Sequence, residues 1–234
     1  MMNKIQDYQY YLIIKKKKFL FQTFDPINGF SLIQETILED YTIDNLFYLL
    51  EGFLEKNVFK IEKELKNFIK KIYIIFESEL FFEVGSSIKH NLKGINFNHN
   101  QLKDTLIDIK NQFEKHSQEY EIIHMIVDKY IINGTVHKTL SEKIDDDNLS
   151  VQVNFICLEN KSVENLKEIF SKYEISINKI LNYEYLKSLN NFNDENIAKI
   201  AHDTINGHNA NEVFIVKKTS KKHGFFEKFF NFFN

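Results

Sequence analysis

Apolar residues change their spacing repeatedly along this chain, from every second position to every third or fourth. That switching between a strand period and a helix period leaves an α+β fold as the expected class. Residues 10–14 and 19–24 are β-prone runs on either side of Lys15, Lys16, Lys17 and Lys18. The lysines read as a solvated hairpin end. Asp25-Pro26-Ile27-Asn28-Gly29 then makes a turn, because proline presets one dihedral and glycine tolerates a positive one. Residues 30–38 supply a third strand, so three antiparallel strands should open the chain. Thr42 can cap a helix that carries Leu46, Leu49, Leu50, Phe53 and Leu54 at helical spacing, with Gly52 a mild cost in its middle. Residues 58–68 read as a second amphipathic piece, with a short strand near Phe59. Residues 71–76 (KIYIIF) read as a buried strand.

The middle of the chain has its own rhythm. Residues 80–84 are strand-like, with Gly85 and Gly94 as breaks. Asn100 is placed as the cap of a helix over 101–117, from Leu102, Leu106, Ile109 and Phe113. Residues 121–132 (EIIHMIVDKYII) make a strand of mixed burial that ends at Asn133-Gly134, a strong turn signal. Residues 136–148 read as an exposed loop or short strand. Val151, Val153, Phe155 and Cys157 share one face of a strand over 149–158. Ser162 or Asn160 can cap a helix carrying Val163, Leu166, Ile169 and Phe170. Ile175, Ile177 and Ile180 mark another strand. Short helices follow over 183–189 and 194–206, then a last strand over 213–216. Residues 8–78 and 175–217 are expected to form one part, with 79–174 inserted into it as a second.

The composition excludes several classes. The 234 residues are 43% hydrophobic and 27% charged, which is enough to fill a core. Every basic residue is lysine, and the formal charge is -3. Base reading by a guanidinium is therefore impossible, and no nucleic-acid partner is expected. Cys157 is the only cysteine, so no intrachain disulfide can form. No run approaches the ~18 apolar residues that a membrane-spanning helix needs.

Chemistry-bearing residues are scattered. The eight histidines show no metal-ligand spacing. His202, Asp203 and His208 read as surface residues at a helix end. Asp145, Asp146 and Asp147 lack the alternation of a calcium loop. Cys157 reads as a small buried hydrophobe. No nucleophile elbow or phosphate loop is present, so no catalytic residue, cofactor or metal is expected. A small-molecule enzyme would need His124, Asp128 and Asp203 to converge in a pocket.

The C-terminal ten residues, FFEKFFNFFN, carry the sharpest physical signal. On a helix at ~100° per residue, Phe225, Phe226, Phe229, Phe230, Phe232 and Phe233 fall within an arc of about 160°. Residues 218–224 form a basic linker. Lys217, Lys218, Lys221, Lys222 and Lys228 flank the aromatic face. The expected role is an interfacial anchor: rings enter the acyl boundary and lysines meet anionic membrane lipid. The alternative is a soluble interaction module whose C-terminal helix docks in a partner's groove.

Three stretches point to a family. Ile123-His124-Met125-Ile126-Val127-Asp128-Lys129-Tyr130-Ile131-Ile132-Asn133-Gly134 follows the form IH-x-x-P-x-x-Y-x-I-D-G, with Val127 or Asp128 in place of proline and Asn133 in place of aspartate. Residues 71–78 (KIYIIFES) match a strand leading into an insert, and the aromatic helix closes the chain after a basic linker. In this order they resemble the bacterial cell division protein FtsA, an actin-like family with an inserted SHS2 module. The resemblance implies a reduced actin-like first lobe carrying an SHS2-type module, with a C-terminal amphipathic helix. It implies a non-enzymatic scaffold on the cytoplasmic face of the cell membrane, other division proteins as partners, and self-association. The family's phosphate loops have no counterpart in residues 11–24 or after Leu189, and the resemblance implies a reduced form without the second actin-like lobe. The resemblance therefore carries over neither ATP binding nor the usual contact with FtsZ.

Overall fold

The computed structural model describes residues 8–25, 28–38, 42–92, 97–140, 148–189, 197–209 and 211–213. Two sheets organise them. The first has the order β3-β2-β1-β4-β9. Strands β1 (Gln9–Lys15), β2 (Lys18–Asp25) and β3 (Gly29–Ile37) form the expected antiparallel meander. β4 (Lys71–Phe76) runs parallel to β1, and β9 (Ser176–Asn182) parallel to β4. The lysine turn is more engaged than a free hairpin end. Lys16 Nζ lies 2.8 Å from Glu79, Lys18 Nζ lies 3.3 Å from Glu35, and the Lys15 ammonium sits 4.9 Å from the Tyr183 ring centre.

Helix α1 (Ile43–Leu65) is one helix of 23 residues, not a helix followed by a second piece with a strand. Leu46, Leu50, Phe53, Leu54, Asn57, Val58 and Ile61 are all buried, so one stripe runs unbroken through the expected join. Phe59 falls on the opposite side and is 74% exposed. This stripe packs on Tyr10, Leu12, Ile14, Phe19 and Phe21 of the meander. Helix α3 (Asn160–Ser171) joins the same core through Val163, Leu166, Ile169 and Phe170. The other face of the sheet presents Tyr11, Ile13, Leu20 and Ile75 to helices α4 (Tyr183–Ser188) and α5 (Ile197–Ile205). A strand buried on both faces needs apolar residues at every position, which is why residues 10–14 read as a continuous run.

The second sheet has the order β5-β8-β6-β7 and is antiparallel throughout. It comprises β5 (Phe82–Asn91), β6 (Tyr120–Ile132), β7 (Thr135–His137) and β8 (Asn148–Glu159). Helix α2 (His99–His116) covers one face, over Val151, Val153, Phe155 and Cys157. Asn133 and Gly134 turn between β6 and β7 with φ of 46° and 86°, which asparagine and glycine tolerate best. β5 runs straight through Gly85, where a break was expected; its pairing with β8 holds the glycine extended. The cap of α2 is Asn98, not Asn100: Asn98 Oδ1 accepts from the Asn100 and Gln101 amides at 3.0 and 3.2 Å. Neither Ser162 nor Asn160 caps α3. The Asn160 amide side chain instead donates to the Gln118 carbonyl at 2.6 Å. The fold is thus α+β, with a mixed sheet, an antiparallel sheet and helices.

Candidate functional site

β6 carries the polar centre of the molecule, and two bulges aim it. Ile122 opposes Cys157, yet His124 opposes Ile156, so Ile123 is an extra residue. A second shift between Val127 and Lys129 makes Asp128 extra. Each bulge reverses the faces on which later side chains lie. Met125, Val127 and Tyr130 consequently face α2, while His124 turns toward the first sheet.

His124 is almost fully buried there. The Asn182 amide donates to its Nε2 at 2.9 Å. Nε2 must therefore carry the lone pair, and the ring proton sits on Nδ1. Nδ1 donates to Glu212 Oε1 at 2.8 Å. The Tyr185 hydroxyl donates to Glu212 Oε2 at 3.0 Å and accepts from Asn209 Nδ2 at 2.6 Å. Lys179 Nζ lies 3.4 Å from Glu212 Oε1 and supplies the counter-charge. Asn182 also caps α4, its Oδ1 accepting from the Tyr185 amide at 2.7 Å, which sets Tyr185 in place.

Burial holds the His124 pKa below the ordinary imidazole value, more than the Glu212 carboxylate raises it. Burial also acts to raise Glu212, but the hydrogen bond from His124, the charge of Lys179 and the hydrogen bond from Tyr185 outweigh it and leave the carboxyl below its usual range. Burial, then the Glu212 charge, pushes the Tyr185 phenol far up. The cluster is a neutral histidine and a tyrosine donating to one carboxylate that a lysine neutralises.

This cluster pins the last described residues. The Val127 amide donates to the Asn211 carbonyl and the Val213 amide to the Met125 carbonyl, each at 2.8 Å. Glu212 bridges antiparallel to Ile126 between the two bulges. Residues 211–213 thus occupy the β6 edge beside β7, where the two sheets meet. Of the expected strand over 213–216 only Val213 falls within the described residues; residues 214 onward lie outside them.

A second feature lies on α1. Tyr48 is 78% exposed and shares the outward side of the helix with Gly52 and Phe59. Beside them an open groove of about 740 Å³ runs between α1, Leu38 and Tyr173. Lys172 Nζ and Glu51 Oε1 close one side at 2.6 Å. A Cβ at Gly52 would meet no atom within 4 Å. Gly52→Ala is expected to stabilise the fold by about 0.5–1 kcal/mol, through helix propensity alone. Urea unfolding checks this: an unchanged or lower midpoint would mean that the groove floor is not open at Gly52.

The structure places the other singled-out residues apart. Asp128 is exposed and lies 3.6 Å from Lys129, while Asp203 lies 3.5 Å from His208. His124, Asp128 and Asp203 each have their own partners. His202 is less superficial than expected: its ring lies 4.2 Å from that of Phe24, and Nδ1 is 3.0 Å from Gln9 Oε1. Burial pushes the Cys157 thiol up to about 12, as a small buried hydrophobe requires. Among the described residues no group of three or more His, Cys, Asp or Glu is arranged to hold a metal ion. Among them, too, no helix is long and apolar enough to cross a membrane. Asp145, Asp146, Asp147, Lys217, Lys218, Lys221, Lys222, Lys228 and all six phenylalanines of the C-terminal segment lie outside the described residues.

Glu212, Tyr185 and Lys179 were not singled out from sequence. The available signals were a lone histidine in an apolar strand and a lysine set between Ile177 and Ile180.

No protein-family model and no curated protein matches the chain. Among solved structures it is similar to a Bacteroides thetaiotaomicron protein with actin-like ATPase fold and unknown function. That likeness has 15% identity over 80% of this chain and 56% of the other, with a TM-score of 0.38. It is also similar to the cytoplasmic domain of EpsL, an inner membrane component of the type II secretion system of Vibrio cholerae. There the identity is 4% over 77% of this chain and 59% of the other, with a TM-score of 0.37. A third is the PilM-PilN type IV pilus biogenesis complex, at 10% identity over 76% of this chain and 48% of the other, with a TM-score of 0.45. The chain spans roughly half to three-fifths of the length of these structures.

Proposed function

We propose that this chain is a non-enzymatic protein-interaction module whose C-terminal aromatic helix docks in the groove of a protein partner. The pin at Glu212 carries the reading. It holds the chain to the β6 edge as far as Val213, so the segment that follows leaves from a fixed point at the junction of the sheets. A helix presenting six phenylalanines on one side gains on the order of 1.5–3 kcal/mol for each ring it buries, before ordering costs. A helix of under three turns is marginal alone in water, so a groove must supply its stability.

The second reading is a peripheral membrane scaffold of the bacterial division machinery, built as a reduced actin-like lobe with an SHS2-type insert. Lys217, Lys218, Lys221 and Lys222 favour it, because a docked helix needs no basic collar. Vesicle co-sedimentation of the full chain separates the two, together with a photo-crosslinking side chain at position 229. The first reading expects the protein to stay in the supernatant with anionic and neutral vesicles alike. It also expects a protein adduct at position 229 that Phe230→Glu abolishes. Salt-sensitive pelleting on anionic vesicles, lost in Phe229→Glu plus Phe230→Glu and without a protein adduct, would overturn it in favour of the anchor.

A further inference from the structure

β5 is the outermost strand of the second sheet, and among the described residues nothing pairs its free edge. Its ten residues contain no proline, and their pairing with β8 runs unbroken from Phe82 to Asn91. The edge therefore presents an uninterrupted row of backbone donors and acceptors, without the bulge or proline that commonly blocks a second strand. Phe82 and Ile88 pack on the core under α2 yet stay half-buried, because no strand flanks them on the outside.

The side chains of this edge are arranged symmetrically about Ser86. Glu83 and Lys89 stand three positions to either side, both exposed and on the face away from α2. Val84 and Ile88 stand two positions away, Phe82 and His90 four, on the α2 side. An antiparallel ladder keeps opposed residues on one face, so odd positions must meet odd and even meet even. Among those registers, the one centred on Ser86 sets Glu83 against the partner's Lys89. It sets Val84 against the partner's Ile88, and Gly85 against the partner's Ser87. A shift by two residues either way faces Glu83 with the partner's Ser87 or the partner's Asn91 and loses both charge pairs. Glu83 Oε2 accepts from Asn154 at 2.8 Å, and Lys89 makes no ion pair among the described residues.

We propose that β5 pairs antiparallel with β5 of a second copy of this chain, about a two-fold axis at Ser86. The pairing joins the two antiparallel sheets into one and sets both α2 helices on the same side. The contact is isologous, so the Glu83–Lys89 pair forms twice. This inference goes beyond the proposed function and does not depend on the C-terminal segment.

Sedimentation velocity on the full chain over a concentration series tests it. The wild-type chain is expected to dimerise by roughly 100 µM. Glu83→Lys and Lys89→Glu should each weaken the dimer about tenfold, since each replaces two attractive cross-strand pairs by repulsive ones. The double exchange, Glu83→Lys with Lys89→Glu, should restore the wild-type constant. Ser86→Cys should give a disulfide-linked dimer on mild oxidation. Opposed Cα atoms in such a ladder are about 4.5–5.5 Å apart, within disulfide reach, and the native Cys157 is buried. A wild-type chain that stays monomeric, a double exchange that fails to restore dimerisation, or a Ser86→Cys variant that does not cross-link would each overturn the proposal.

Discussion

Glu212→Ala is expected to cost about 3 kcal/mol of folding stability, seen as a lower urea midpoint with an unchanged slope. The carboxylate is 1% exposed and receives three partners, so its removal leaves donors without acceptors inside the fold. His124 Nδ1 loses its only acceptor. The Tyr185 hydroxyl still accepts from Asn209 but also loses its acceptor, while Lys179, with 24% of its side chain exposed, can turn toward water. That one escape places the cost at the low end of what breaking a buried pair usually brings. Glu212→Gln should fall between, because one amide oxygen still accepts while the amide nitrogen meets a donor. The variant should also free residues 211–213 from β6 and speed proteolysis after Val213. A loss under about 1 kcal/mol would show that the cluster is not closed in solution.

Stability should fall by about 2 kcal/mol between pH 7 and pH 5 because His124 stays neutral in the fold. In the unfolded chain this histidine takes up a proton as the pH drops through about 6.5. In the folded chain its pKa is held lower, and the Asn182 amide facing Nε2 leaves no place for a second ring proton. The unfolded state therefore binds more protons in this window, and stability declines with falling pH by up to about 1.4 kcal/mol per unit. His202, whose pKa is also lowered chiefly by burial, adds to the slope. Glu212 acts in a separate window: its depressed pKa gives stability that is complete above about pH 4.3 and is lost as the pH falls further, through its folded value. Urea unfolding at several pH values, on wild type and on His124→Gln, separates the contributions. A His124→Gln slope as steep as wild type between pH 7 and 5 would assign the acid sensitivity elsewhere.

α2 and β8 were legible because each keeps one period over its whole length, and β1 and β4 because a short continuous apolar run reads as a strand buried on both faces. β8 is the clearest case: Val151, Val153, Phe155 and Cys157 alternate without a slip and lie together under α2. β6 was legible as a strand but not as a surface. Its two bulges put Ile122, Met125, Val127 and Tyr130 on one face, at spacings of three, two and three, so no single period describes residues 121–132. Alternation continued from Ile122 would have set His124 among the residues facing α2. Glu212 was hidden for a different reason: its partners lie 88, 33 and 27 positions away, and no local pattern records such a meeting. The division of α1 into two pieces came from weighing Phe59 as an inward residue, when phenylalanine is so common here, 23 in all, that one can be spared for the surface. The C-terminal segment was the strongest signal in the sequence, and its reading stands on helical geometry and charge alone.

β4 and β9 are parallel neighbours, yet β4 ends at Phe76 and β9 begins at Ser176. On a ribosome adding about 5–20 residues per second, the β4 edge would wait roughly 5–20 s for its neighbour. Ile72, Ile74 and Ile75 would stand beside an open ladder throughout that interval. Synthesis of this protein is therefore expected to include a window in which the nascent chain, complete through β4 but without β9, is at its most vulnerable to misassembly and most in need of a chaperone.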